Sequence, residues 1–215
     1  MMNRMLAVFD IDGTLRTEPD PWLHLHRHLG TIEHGEEILQ RWKDGEVTYH
    51  ELAALDASVW KGFDRASILQ SLESNPIRSG ARELIEWFKA LQIPCVGIST
   101  GLSVFNDVTS EELGLDEVIS NDLLFEGEVC TGSVSINVEE DGKAEVLRAM
   151  IERYECSSTI VFGDGTADVA LFKTARVSVA VFPRHAHVSD EAHLVVNTEP
   201  IHEICDDIER LLNNE

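Results

Sequence analysis

Met5 to Phe9 is an unbroken apolar run, and it stops at once in Asp10-Ile11-Asp12-Gly13-Thr14. A run this short with no polar face fits a strand buried on both sides, the kind found in parallel sheets covered by helices. The two carboxylates then fall at the carboxyl edge of that strand, where such sheets bind their ligands. Further short apolar runs follow at Pro94 to Ile98, Val118-Ile119, Thr159 to Phe162, Val177 to Val181 and Leu194 to Val196. Between them, apolar residues return at helical spacing. Ala81, Leu84, Ile85, Phe88 and Leu91 mark one helix, and Leu147, Met150, Ile151 and Tyr154 another. A helix over Val104 to Glu112 closes near Gly114, and Ile204, Ile208, Leu211 and Leu212 sit on a terminal one. Leu123 to Val138 alternates around Gly127 and Gly132, which predicts a hairpin-like extended segment. Strands alternating with helices predict an α/β fold with a Rossmann-like parallel sheet.

From Thr17 to Asn75 the pattern is helical throughout. Pro21 opens one segment through Leu29, and Glu36 to Trp42 is another. Thr48 followed by Glu51 is a capping-box signal for a helix through Trp60, and Asp64 caps a segment through Leu72. This block enters directly after the first strand. The expected organisation is therefore a core of residues 1–16 and 76–215, with residues 17–75 inserted as a small helical cap.

Charge limits the partners. The chain of 215 residues carries 39 Asp and Glu against 17 Lys and Arg, a formal net of −22. Such a surface repels nucleic acid and anionic membranes. It suits either a protein adapted to high salt, where self-repulsion is screened, or simply an acidic mesophilic one. The apolar runs are too short to span a bilayer, and the N-terminal stretch meets Asp10 with no small-residue cleavage site, so a cytoplasmic protein is expected. Cys95, Cys130, Cys156 and Cys205 show no C-x-x-C spacing and read as reduced thiols, not a zinc site.

Three polar clusters fall at expected strand ends: Asp10 to Thr14, Ser99-Thr100-Gly101, and Gly163-Asp164-Gly165-Thr166-Ala167-Asp168. A fourth, Gly142-Lys143, opens a helix, where free N–H groups favour anions and a lysine is not an obvious structural choice. Gathered together, Asp10, Asp12, Asp164 and Asp168 need a cation, since two like charges at about 4 Å repel by roughly 4 kcal/mol at an effective dielectric of about 20. Oxygen donors alone suit Mg²⁺. A metal, an amine, a hydroxyl and glycine-rich N–H groups are what a phosphoryl group requires.

These segments resemble the first and last motifs of the haloacid dehalogenase-like superfamily, with Ser99 and Lys143 in that family's order and rough spacing. The likeness spans nearly the whole chain. The helical insertion and the stretch from Lys143 to Gly163 are most similar to the phosphoserine-phosphatase-like branch. The resemblance implies a phosphatase acting on a small-molecule phosphate monoester through an aspartyl-phosphate. It implies Asp10 as nucleophile and Asp12 as the acid and base that protonates the leaving oxygen and activates water. It also implies Ser99, Thr100, Gly13 and Lys143 around the phosphoryl oxygens. Mg²⁺ would sit on Asp10, the carbonyl of Asp12 and Asp164, with Asp168 orienting Lys143 or metal-bound water. A phosphotransferase or mutase, and a phosphate-binding regulatory protein, are the alternatives.

Two departures bear on the substrate. Phosphoserine phosphatases carry an Asn where this chain has Ala167. They also clamp the amino acid head group with a cap Glu and a cap Arg. Glu18 lies near the first of these positions, but Glu51 to Val59, where the second should fall, holds no base. A substrate carboxylate would lack its partner, so phosphoserine is not the expected substrate. Arg16 and Glu18, where cap meets core, are candidate specificity residues. His24, His26 and His28, and His185 with His187, read as ordinary packing and not as metal ligands. The charge leads to a first test. If the surface is adapted to salt, the melting temperature should rise with NaCl as repulsion is screened; a flat or falling response in a thermal scan would remove that reading.

Overall fold

The computed structural model describes residues 4–213. Seven strands form one sheet in the order β4-β3-β2-β1-β5-β6-β7, parallel except for the β3–β4 hairpin. The strands are β1 (Met5–Phe9), β2 (Cys95–Leu102), β3 (Glu117–Glu126), β4 (Val129–Ser135), β5 (Ser158–Gly163), β6 (Val177–Val181) and β7 (Leu194–Val196). Between β1 and β2 come α1 (Pro21–His28), α2 (Ile32–Lys43), α3 (Tyr49–Val59), α4 (Arg65–Leu69) and α5 (Ala81–Ala90). After β2 come α6 (Ser103–Leu113), α7 (Lys143–Arg153), α8 (Val169–Phe172), α9 (Ala186–Asp190) and α10 (Cys205–Asn213).

The central strand carries no polar residue, because both its faces are covered. On one face Phe9 stacks on Phe162 with ring centroids 4.7 Å apart, and Phe88 of α5 meets both edge-on. On the other, Leu6 and Val8 pack with Leu147 and Met150 of α7 and with Leu171 and Phe172. A third cluster joins Leu25, Ala57, Trp60 and Ile68 to Leu102, Phe105 and Leu123, so α1, α3 and α4 share apolar surface with β2, β3 and α6. Backbone bonds strengthen that join: Cys130 donates to Phe63, and Gly62 to Cys130.

The helix signals act where they were read. Thr48 and Glu51 form a reciprocal capping box at α3, Asp64 caps α4, and Gly114 ends α6 at φ +70. Three elements differ from expectation. Strand β3 is continuous from Glu117 to Glu126, joining Val118-Ile119 to the first arm of the hairpin. Helix α2 starts at Ile32, earlier than Glu36. Strand β2 runs on to Leu102 instead of ending at Ile98; its pairing with β3 slips between Ile98 and Leu102, which bulges Ser99, Thr100 and Gly101 out of the ladder. Helices α8 and α9 gave no clear periodicity, being only four and five residues long. The histidines of α1 are structural: His24 and His28 donate to the carbonyls of Ser71 and Ser67, tying α1 to the end of the helical block. All four cysteines are free thiols. No helix among the described residues is long and apolar enough to cross a membrane.

Phe88 is fully buried, whereas Leu91, one turn on, is 51% exposed. Phe88→Ala should therefore cost about 3–5 kcal/mol in denaturant unfolding, and Leu91→Ala no more than about 0.5 kcal/mol.

Candidate active site

Asp10 continues β1 by one residue, its N–H donating to Phe162 O on β5. The chain then turns tightly, and Leu15 and Arg16 both donate back to Ile11 O. Gly13 carries φ +86, and a Cβ there would lie 2.4 Å from Asp164 Oδ2. Only glycine satisfies both the turn and this approach. At the neighbouring strand end, β5 closes on Gly163, and Asp168 folds back so that its Oδ2 accepts from the N–H groups of Asp164 and Gly165.

Lys143 opens α7. Side chains at a helix start tilt back beyond the first turn, and here that points the ammonium at the sheet edge. Its Nζ lies 2.6 Å from Asp10 Oδ1 and 2.7 Å from Asp168 Oδ1. Thr14 donates to the second oxygen of Asp10. Asp12 turns the other way: Ser99 Oγ donates to its Oδ2 at 2.9 Å and itself accepts from Gly101 N–H. The β2 bulge thus accompanies a long-range contact, since it turns Ser99 to face Asp12 across 87 positions.

Asp10, Asp12, Lys143, Asp164 and Asp168 are all buried. Burial raises the Asp10 carboxyl against the pull of Lys143. It pushes Asp12 up to about 7, with Asp10 adding repulsion and Ser99 opposing, and Asp164 up to about 8, with Asp10 and Asp168 adding. Burial disfavours the Lys143 ammonium too, but Asp10 and Asp168 outweigh it and raise its pKa. The site is thus short of positive charge. One oxygen each of Asp10, Asp164 and Asp168 come within 4.8 Å of one another. Asp164 Oδ2 receives no hydrogen bond, although Arg184 Nε forms an ion pair with it at 2.7 Å. Converging hard oxygens from three buried carboxylates fit a divalent cation.

Above these groups opens a cavity of about 390 Å³, walled on the far side by α1, α2 and α3. Thr100 lines it, with its carbonyl accepting from Trp22, Tyr49 and Asn121. The structure does not bring Arg16 or Glu18 to the cavity. The Arg16 guanidinium is committed to Thr109, the Asn75 carbonyl and Glu112, and it lines a separate surface groove. Glu18 pairs with His24 and Arg27. Both side chains are used in joining elements, so neither is presented to a ligand. Cavity residues that sequence reasoning passed over include Trp42, Lys43, Tyr49, Asp56 and Arg184. Arg184 could have been found, because it follows β6 at the same sheet edge as the strong motifs. The others could not, since α2 and α3 reveal their cavity faces only once folded against the core.

The profile of the haloacid dehalogenase-like hydrolase family matches residues 7–173. A phosphoserine phosphatase of Methanocaldococcus jannaschii is 25% identical over 94% of this chain and 96% of its own length. One of Wolinella succinogenes is 26% identical over 93% and 97%. A solved phosphoserine phosphatase carrying a phospho-aspartyl intermediate analogue superposes with a TM-score of 0.81 at 22% identity, covering 95% of this chain and 99% of that one, a likeness of fold.

The raised carboxyls have a consequence for stability. Asp12 and Asp164 are held up to about 7 and about 8 when folded, against roughly 4 unfolded. Over that window the folded chain binds more protons, so metal-free stability falls as pH rises. A divalent cation, competing with those protons, should raise the melting temperature more at pH ~8 than at pH ~5. Asp164→Asn should abolish the difference; an equal metal shift at both pH values would contradict the charge argument.

Proposed function

The chain belongs to the haloacid dehalogenase-like hydrolases, and from that membership we propose that it is a magnesium-dependent phosphatase that hydrolyses a small-molecule phosphate monoester through a phosphoryl group carried on Asp10. The observation that carries this reading is the pairing of Asp10 with Lys143 beside an Asp12 that is turned onto Ser99. Lys143 opposes the rise that burial imposes on Asp10, while Asp12, with Ser99 and, among the described residues, no ammonium bonded to it, is pushed up to about 7. That division suits a nucleophile next to a general acid.

Asp10 Oδ attacks phosphorus as the ester oxygen departs, and Asp12 gives its proton to that oxygen. Asp12, now a carboxylate, takes a proton from the water that cleaves the aspartyl-phosphate, which frees inorganic phosphate and restores Asp10. Lys143 offsets charge on the phosphoryl oxygens, and Ser99 with the N–H groups of the Asp10 to Gly13 turn holds them. Asp168 fixes Lys143 and the Asp164 turn. Asp10, Asp164 and the Asp12 carbonyl are the groups for Mg²⁺, which supplies Lewis-acid charge neutralisation. Residues 17–75 act as the cap: they close the cavity and choose the leaving group, while the core recognises only phosphate. Relatives of this chain are phosphoserine phosphatases, yet α3 turns only Tyr49, Leu52, Ala53 and Asp56 to the cavity, none of them basic.

Asp10→Asn should cut turnover at least about 10³-fold with the fold retained. Substantial activity in protein free of deamidated Asn would exclude the covalent route. EDTA should stop phosphate release and Mg²⁺ restore it, with Ca²⁺ a poor substitute because its larger, looser shell misplaces the nucleophile.

A further inference from the structure

Asp56 is 5% exposed and sits in the cavity wall on α3, away from the phosphoryl groups. A buried carboxylate in a cap is expensive unless something needs it there. Its surroundings hold it in place. His26 Nε2 lies 3.0 Å from Asp56 Oδ1. The tautomer of His26 follows from its other contacts: Thr31 Oγ1 lies 2.8 Å and Trp60 Nε1 3.3 Å from His26 Nδ1, and while the hydroxyl can take either role, an indole N–H can only donate. His26 Nδ1 therefore accepts, and Nε2–H donates to Asp56. Both His26 and Trp60 are fully buried, with ring centroids 4.7 Å apart. Gly35, in mid-helix α2, makes the room: a Cβ there would sit 2.6 Å from the His26 ring.

These contacts serve only one oxygen of Asp56. The other receives no hydrogen bond from the described residues, and Asp56 belongs to a cavity wall that also carries Trp22, Trp42 and Tyr49. Burial raises the Asp56 carboxyl against both the hydrogen bond and the charge of His26, the one basic side chain paired with it among the described residues. Aromatic faces attract ammonium groups. A ligand carboxylate at this place would meet like charge.

Resting on the phosphatase reading above, we propose that Asp56, held by His26, is the specificity acceptor for an ammonium on the leaving group, so that the substrate is the phosphate monoester of an amino alcohol without a carboxylate. The amine meets the free oxygen of Asp56 and the aromatic wall. The phosphoryl end meets Asp10 and Lys143. Lys43, the cap-side lysine among the cavity residues, is exposed at the end of α2.

The test compares kcat/KM for aminoalkyl phosphates of increasing chain length with alkyl phosphates of equal length, alongside phosphoserine and p-nitrophenyl phosphate. At the preferred length the amine should win by at least about tenfold, the size of a buried charge contact. Asp56→Asn keeps an acceptor for His26 and removes the charge; it should collapse that ratio towards one. A ratio near one in the native protein, or one untouched by Asp56→Asn, overturns the proposal. So does phosphoserine outranking every aminoalkyl ester, and if Lys43→Ala erased that lead the clamp would be a carboxylate clamp on Lys43. Failure to release phosphate from any ester, p-nitrophenyl phosphate included, defeats the phosphatase reading instead. Calorimetry with an aminoalkyl phosphonate and its alkyl analogue then decides the ammonium site without turnover: equal affinities reject it, and a preference lost in Asp56→Asn sustains it.

Discussion

Lys143 and its two carboxylates are the contact around which the catalytic end of the molecule is organised. Asp10 and Lys143 are 133 residues apart in sequence, yet Nζ lies 2.6 Å from Asp10 and 2.7 Å from Asp168. Moving three charged groups into a buried site costs several kcal/mol per ion, and an ion pair offsets this only when its geometry is good and the remaining oxygens are bonded. Here Thr14 takes the second oxygen of Asp10, and two backbone N–H groups take the second oxygen of Asp168. The arrangement needs β1, β5 and the start of α7 to end at one edge. The parallel sheet provides that alignment, with β1 and β5 in register from Met5↔Ser158 to Phe9↔Phe162.

The same edge concentrates more negative than positive charge, and this imbalance links fold to chemistry. Burial first, and the neighbouring carboxylates second, raise Asp10, Asp12 and Asp164 together and make the site receptive to a cation and to a proton on Asp12. Close approach here is possible because Gly13 and Gly163 lack side chains: a Cβ on either would strike Asp164 or Asp168 at 2.4 Å. The glycines of both motifs are thus part of the electrostatics, since they set how near the carboxylates come.

The helical block contributes differently. Its apolar residues join the β3–β4 hairpin through Trp60, Leu102 and Leu123, which fixes one cavity wall relative to the core. Two buried acids face opposite needs across that cavity. Asp12 is answered by Ser99, while Asp56 is answered on one oxygen by His26 and on the other by none of the described residues. A wall with an acid in that state recognises charge of the opposite sign.

The strands, most helices and the catalytic motifs were legible in the sequence because each is a local pattern. Apolar runs with no polar face mean strands buried on both sides, Thr48 with Glu51 means a helix start, and acids and glycines at strand ends mean a ligand edge. The β2 bulge was not legible, because it arises from Ser99 turning to Asp12, a contact across 87 positions. Nor were the fates of Arg16 and Glu18, which sit beside the motif in sequence but are drawn off by Thr109, Glu112, His24 and Arg27. The sequence by itself determined the sheet, the acids and glycines at its carboxyl edge and the demand for positive charge that they create, since these depend on residue type and short spacing. Only the tertiary structure decided which cap residues face the cavity and what holds Asp56 there. That depends on how α2 and α3 roll against the core, and the roll is set by long-range packing around Trp60, which no local spacing encodes.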